Sequence, residues 1–253
     1  MRNVYIYSYK PSSEGANALA DNLGVPLIDK DVNLTRYDNK TIIFNWGMGS
    51  SNDILSKCRV FNRYSNVAAC VNKIETFRAL SLAGVSHVPF TTDYAIARDW
   101  QHFGYPVCVR ALAEGADGAG LTIVRSNLEP IPHAPLYTKF IKAKAEYRVN
   151  VCNDTTMAVQ LKVPLRSDQS TEIRTTAGGW GFRLLDENEI PIGLRPVARA
   201  ATKALGLDYA GVDMIHGEDG KFYVLELNSA PHLTPAVATR FAKEFKKMVE
   251  TYE

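Results

Sequence analysis

The chain has 253 residues, 46% of them hydrophobic and 22% charged, and 29 Lys and Arg against 27 Asp and Glu leave a formal net charge of +2. That length suits one large domain or two to three small lobes, the apolar content excludes a disordered chain, and the near-neutral balance argues against a nucleic-acid-binding surface as the main role. No run approaches the ~18–20 apolar residues of a membrane span, the opening MRNVYIYSYKPSSEG lacks the pattern of a secretory signal, and the dispersed Cys58, Cys70, Cys108 and Cys152 read as reduced thiols of a cytoplasmic protein rather than a zinc site.

Residues 4–9, VYIYSY, are β-branched and aromatic and predict an opening strand. Residues 14–23 predict a short helix stopped by Gly24, and VPLID and TIIFNWG predict two further strands, making a small α/β lobe. Residues 72–84 predict a helix with Asn72 as its cap, Glu75 placed as in a capping box, and Gly84 as its stop. Strands follow at PVCVR and LTIV around the loop AEGADGAG, and the proline-bearing segment 127–135 reads as a connector. YTKFI, EYRVNVC and MAVQLKVPL are strand candidates, the first two joined by a KAKA link, and TTAGGWGF is a glycine-rich loop. Residues 196–205 predict a helix ended by Gly206. AGVDMI and KFYVLELN are the last strands, and the closing helix carries the stripe Val237, Phe241, Phe245, Met248 and Tyr252.

The most informative stretch is AGVDMIHGEDGKFYVLELNSAPHLT. Asp219-Gly220 predicts a two-residue hairpin turn. Pairing from that turn sets Asp213 opposite Glu226, Met214 opposite Leu225 and Asn228 opposite Gly211. Opposed carboxylates repel unless a cation or a shared proton lies between them. Two carboxylates and an amide oxygen are hard ligands suited to Mg²⁺. The plain alternative is a solvated hairpin with surface acids, against which stands the apolar context of Glu226 in YVLELN.

Upstream, three glycines of the loop, Gly115, Gly118 and Gly120, allow backbone N–H groups to turn toward phosphate, although a plain hairpin loop fits the same pattern. Arg110 ends the preceding strand. Lys73 begins a helix, where a positive charge opposes the helix dipole; a cation holding an anion and a snorkelled surface lysine both fit that position. Glu146 and Arg148 alternate on one strand face and could form a surface ion pair. Arg174 precedes the GGWG loop, whose Trp180 reads as a packing residue.

Together these motifs resemble the ATP-grasp superfamily. GVDMI…GKFYVLELNSAPHLT is similar to the metal-binding end of D-alanine–D-alanine ligases and of RimK-like ribosomal-protein glutamate ligases. The resemblance implies an α/β (α+β) fold: a short N-terminal α/β lobe over residues 1–70, a small lobe with a glycine-rich lid over 71–135, and a C-terminal lobe with the metal site over 136–253. It implies Asp213, Glu226 and Asn228 as ligands of two Mg²⁺, with Mn²⁺ as a substitute. It implies Lys73 and Arg110 as nucleotide-binding cations, the second departing from the usual Lys. Gly115, Gly118 and Gly120 match the lid over the triphosphate. Lys139, Phe140 and Ile141 match the adenine-contacting hinge, and Glu146 the ribose contact. Lys162, Arg174 and Arg148 carry the catalytic roles, with Lys162 also on phosphate and Arg174 steadying an acyl phosphate. Gly211, where D-alanine ligases carry Arg, and the Glu146–Arg148 spacing point to the glutamate-ligase branch. FNWG and the short N-terminal lobe are similar to small ATP-grasp proteins of bacteriophages.

The activity implied is ATP-dependent joining of a carboxylate and an amine (free amino acid, peptide or protein tail) through an acyl phosphate, releasing ADP and phosphate. A kinase acting on a hydroxyl and a non-catalytic ATP-binding protein are the alternatives.

Overall fold

The structure, a computed structural model, describes residues 3–29, 37–50, 57–114, 120–167, 170 and 172–251. Among these, three sheets carry the chain. The first is parallel, in the order β2-β1-β3-β4, from β1 (Val4–Ser8), β2 (Leu27–Ile28), β3 (Ile42–Trp46) and β4 (Arg59–Phe61). Helix α1 (Glu14–Leu23) joins β1 to β2; Ser13 caps it, and Gly24, at φ 66°, closes it in the left-handed conformation that glycine adopts without strain.

Helices α2 (Tyr64–Val71) and α3 (Lys73–Leu82) follow. Asn72 accepts from the backbone N–H groups of Ile74 and Glu75, as the sequence predicts. The predicted capping-box partner, Glu75, instead accepts from Arg78 at 2.8 Å. The second sheet is antiparallel, β5-β8-β6-β7, from β5 (Phe90–Thr91), β6 (Val107–Arg110), β7 (Leu121–Val124) and β8 (Leu136–Lys139), with α4 (Tyr94–His102) packed on it. Helices α2 and α4 and strands β4 and β5 have no counterpart among the predicted elements.

The third sheet is antiparallel, β11-β10-β9-β12-β13, from β9 (Ala143–Cys152), β10 (Thr155–Pro164), β11 (Trp180–Leu184), β12 (Tyr209–Gly217) and β13 (Phe222–Asn228). KAKA is not a link: Ala143 and Ala145 pair with Gly217 and His216, so β9 runs through it. Trp180, Gly181 and Phe182, predicted in a loop, form β11 because they pair with Pro164, Val163 and Lys162.

Alternation fixes the two faces of this sheet. Tyr147, Val149, Val151, Val212 and Met214 point into a core shared with Phe77 and Leu80 of α3 and with Leu194, Ala198 and Ala201 of α5 (Leu194–Ala204). The intervening residues point the other way. Helix α6 (Pro235–Glu250) buries Val237, Phe241, Phe245 and Met248 against the first sheet, where Phe44 stacks on Phe245 at 3.9 Å between centroids; Tyr252 of the predicted stripe lies outside the described residues. Asn62 joins the first sheet to the third. Its Nδ2 donates to the Tyr209 carbonyl at 2.8 Å, its backbone N–H donates to Asp208 Oδ2, and its Oδ1 accepts from Asp208 N.

The predicted hairpin register holds at one end and fails at the other. Asp213 pairs with Glu226 and Gly211 with Asn228, but Met214 pairs with Val224 rather than Leu225. The turn is one residue longer than predicted: Gly217 N–H donates to the Lys221 carbonyl, and Gly220 takes φ 81°. A bulge at Leu225 then absorbs the extra residue. It also lets Val224 face the core while Glu226 faces the opposite side. No helix among the described residues is long and apolar enough to cross a membrane.

Candidate active site

The second and third sheets enclose a cleft of about 350 Å³. Its floor is the polar face of the third sheet. Gln160, Arg148, Asp213 and Glu226 lie in one row across β10, β9, β12 and β13, each directly opposite the next. One step along, Lys162 and Glu146 form a second row.

Charges in these rows are matched rather than solvated. Arg148 Nε and Nη2 donate to the two oxygens of Asp213, each at 2.7 Å. Burial pulls the Arg148 guanidinium down, and the charge and hydrogen bonds of Asp213 more than offset it, leaving it above its ordinary value. Lys162 Nζ reaches Glu146 Oε1 at 2.5 Å. Burial pushes the Glu146 carboxyl up, against the pull of Lys162. Glu146 and Arg148 therefore do not pair with each other at a surface: each is buried against a partner on another strand. Lys73, the first residue of α3, lies 3.5 Å from Glu226. The cations that the opposed acids require are thus Arg148 on one flank and Lys73 on the other. Beside them the Cys70 thiol donates to the Leu227 carbonyl at 3.1 Å; burial, with the charge of Glu226, pushes it up to about 12.

The other wall carries Arg110, whose Nε is buried without a hydrogen-bond partner among the described residues. The stem of the glycine-rich loop is tied beside α3: Lys73 N–H donates to the Ala113 carbonyl at 3.0 Å, and Ala111 N–H to the Gly120 carbonyl at 2.9 Å. Gly115 and Gly118 lie outside the described residues. Lys139, Phe140 and Ile141 line the cleft between the two sheets, with the Lys139 ammonium 3.6 Å from the Tyr105 ring centroid. Arg174 enters from the segment between β10 and β11, donating to the Ala143 carbonyl at 3.1 Å and lying 5.0 Å from the Trp180 ring centroid.

The fold thus gathers Arg110, Lys139, Phe140, Ile141, Glu146, Arg148, Lys162, Arg174, Asp213 and Glu226 around one cleft. Lys73 and Asn228 stand behind its lining, each against Glu226; Asn228 Nδ2 is 3.4 Å from Glu226 Oε1. Sequence reasoning missed Phe182, which lines the cleft, and the ion pair of Arg125 with Glu172, which joins the end of β7 to the segment carrying Arg174. Phe182 gave no signal, because the glycine-rich segment TTAGGWGF reads as a loop. The Arg125–Glu172 pair had none, because 47 residues separate its members.

Comparison with known proteins defines the class. Residues 103–250, more than half of the chain, match the RimK-like ATP-grasp domain, and the chain belongs to that family. It is 28% identical to human N-acetylaspartylglutamate synthase A over 190 residues, 68% of this chain and 46% of that one. It is also 28% identical to D-alanine–D-alanine ligase of Geobacter sulfurreducens over 193 residues, 66% of this chain and 57% of that one. The chain thus spans about half the length of the curated relatives it matches. Its fold is that of the ATP-grasp ligase PsnB, solved with minimal precursor, Mg and ADP, at a TM-score of 0.72 and 16% identity over 97% of this chain and 96% of that one. D-cycloserine synthetase DcsG superposes at 0.69 with 17% identity, over 97% and 99%.

Proposed function

We propose that this chain is an ATP-dependent carboxylate–amine ligase. The observation that carries the reading is the cleft itself. Opposed carboxylates with separate cationic partners, an arginine whose buried Nε has no partner among the described residues, and two further cations converge on one space. Relatives support it: D-alanine–D-alanine ligase and N-acetylaspartylglutamate synthase are named for joining an amine to a carboxylate.

In this reading the carboxylate substrate attacks the γ-phosphorus of ATP, and ADP leaves. The amine then attacks the acyl carbon, loses a proton, and inorganic phosphate leaves as the amide forms. The first step demands neutralised charge rather than a protein nucleophile. Lys73, Arg110 and Lys162 hold the phosphates, Arg174 steadies the acyl phosphate, and Arg148 orients Asp213. Glu146 takes the ribose hydroxyls, residues 139–141 the adenine, and the glycine-rich loop covers the triphosphate. A dry cleft protects the acyl phosphate from hydrolysis.

Asp213, Glu226 and Asn228 would hold two Mg²⁺. The donor set fits: each Asp213 oxygen accepts one hydrogen bond and retains a second lone pair. Glu226 is held by long contacts, 3.5 Å from Lys73 and 3.4 Å from Asn228 Nδ2, and the amide oxygen of Asn228 adds a third hard donor. Bound there, the ions would supply charge stabilisation for the β- and γ-phosphates. PsnB, also solved with precursor peptide PsnA2 and AMPPNP, makes a peptide or protein tail a fitting substrate class here. The three lobes 1–70, 71–135 and 136–253 and a cytoplasmic setting, in keeping with four unbridged thiols, complete the reading.

The test is ADP release from Mg–ATP over a panel of carboxylates and amines, with mass spectrometry of the product. An amide product is expected. A phosphorylated hydroxyl, or binding without turnover across the panel, would overturn the ligase assignment.

A further inference from the structure

Leu121 and Ile123 of β7 line the cleft, and Arg125, two residues on and just past the strand end, continues the same face. Its own strand steadies it, Nη1 donating to the Ile123 carbonyl at 3.4 Å, and Nη2 donates to Glu172 Oε2. Glu172 opens a segment, residues 172–176, in which every residue lines the cleft, Arg174 among them. The pair therefore joins the second sheet to the segment that carries Arg174. That segment is knitted to itself. Trp180 donates its indole N–H to the Ser170 carbonyl at 3.0 Å and its backbone N–H to the Thr175 carbonyl at 3.1 Å, and Thr175 Oγ1 accepts from the Gly178 N–H at 2.9 Å. Its far end is tied to β10, where Leu165 N–H donates to the Gly179 carbonyl at 2.9 Å. Arg174 reaches the Ala143 carbonyl at 3.1 Å, and its charge acts on the Glu146 carboxyl.

Both side chains of the Arg125–Glu172 pair are 47% exposed, so the pair contributes little to folding. The balance between two seatings of a surface segment, however, is set by small differences, and a contact too weak to matter for folding still shifts it several-fold. We propose that Arg125 and Glu172 are positioning residues of the nucleotide site: their ion pair seats residues 172–180 against the second sheet, which delivers Arg174 to the cleft and fastens the segment over a bound nucleotide. This rests on the ATP-dependent reading above.

The experiment is stopped-flow release of fluorescent N-methylanthraniloyl-ATP with Mg²⁺ from the wild type, Arg125→Ala, Glu172→Ala, the double variant and Arg125→Lys. Hydrogen exchange across residues 172–180 without nucleotide, and thermal melts, accompany it. Each alanine variant is expected to speed release about fourfold. The double variant should go no further than either single, because the second removal has nothing left to break. Arg125→Lys, which keeps the charge, should stay within about twofold of wild type. Exchange across 172–180 should rise to the same extent in the three alanine variants, and the melts should coincide with wild type, since an exposed pair adds little to folding. An influence exerted through cleft charge alone would move the singles in opposite directions, because Glu172→Ala removes a negative charge and Arg125→Ala a positive one. That result overturns the proposal, as do wild-type release rates in both singles or a double variant whose effect is the product of theirs. A wild-type protein that binds no Mg²⁺-nucleotide would instead overturn the ligase reading, and this proposal with it.

Discussion

Arg148 grips Asp213 through two parallel hydrogen bonds of 2.7 Å, joining neighbouring strands at the centre of the third sheet. With side chains only 14% and 6% exposed, neither partner has water to fall back on. Removing one member of such a pair leaves a buried charge uncompensated. Arg148→Ala should therefore lower unfolding free energy by about 3–5 kcal/mol, and Arg148→Lys by less, since lysine keeps the charge but not the fork. Urea denaturation measures both; an Arg148→Ala loss below about 1 kcal/mol would mean that Asp213 is neutralised some other way.

Glu226 behaves differently. Its side chain is 30% exposed and its contact with Lys73 is long, at 3.5 Å, so the pair contributes little to folding. Glu226→Ala should keep the fold, as read by circular dichroism, while ADP formation drops about 10²–10³-fold. Undiminished ADP release by this variant would refute the metal assignment.

The thiols report on the core. Burial, with the nearby Asp38 charge, raises the Cys58 thiol; burial also raises Cys108, pushes Cys70 up to about 12 and raises Cys152 well above its ordinary value. The thiolate is the reactive form, and only Cys58 is partly exposed. Ellman's reagent at pH 8 should titrate one thiol slowly in the native protein and four after denaturation. Rapid release of two or more from the folded chain would contradict this arrangement.

Glu146 gives stability a pH dependence of defined sign. Burial holds its carboxyl above the ordinary value of 4.5. Between that value and the raised one, the folded state keeps a proton that the unfolded chain has released. Stability from this group is complete below pH 4.5 and declines as pH rises through the window. Glu146→Gln, which cannot ionise, should flatten that decline when unfolding free energy is followed from acid to neutral pH. An unchanged slope would show that Glu146 titrates as an exposed carboxylate.

The hairpin shows how far local rules reach. Asp219-Gly220 located the turn and placed Asp213 against Glu226, yet the turn is three residues long and a bulge at Leu225 restores the register. Two departures cancelled, because the row that fills the cleft is also the row that alternation with the core enforces. Likewise Asn72 capped its helix as predicted, since capping involves neighbouring backbone only. Helix α4 begins with a comparable Asp93 cap that the apolar pattern did not single out.

By itself, the sequence determined the strands and helices with strong local signals, the family motifs, and the acids, amide and cations that the site needs. These are carried by residue type and spacing within a few turns of chain. Only the tertiary structure decided who partners whom. Glu146 and Arg148, two residues apart, part company to reach Lys162 on one side and Asp213 on the other. Trp180 and Phe182 acquire their cations once β11 pairs with β10. The near-neutral total charge concealed this, because net charge sums over the chain while Coulomb attraction and desolvation act across a few ångströms of buried space.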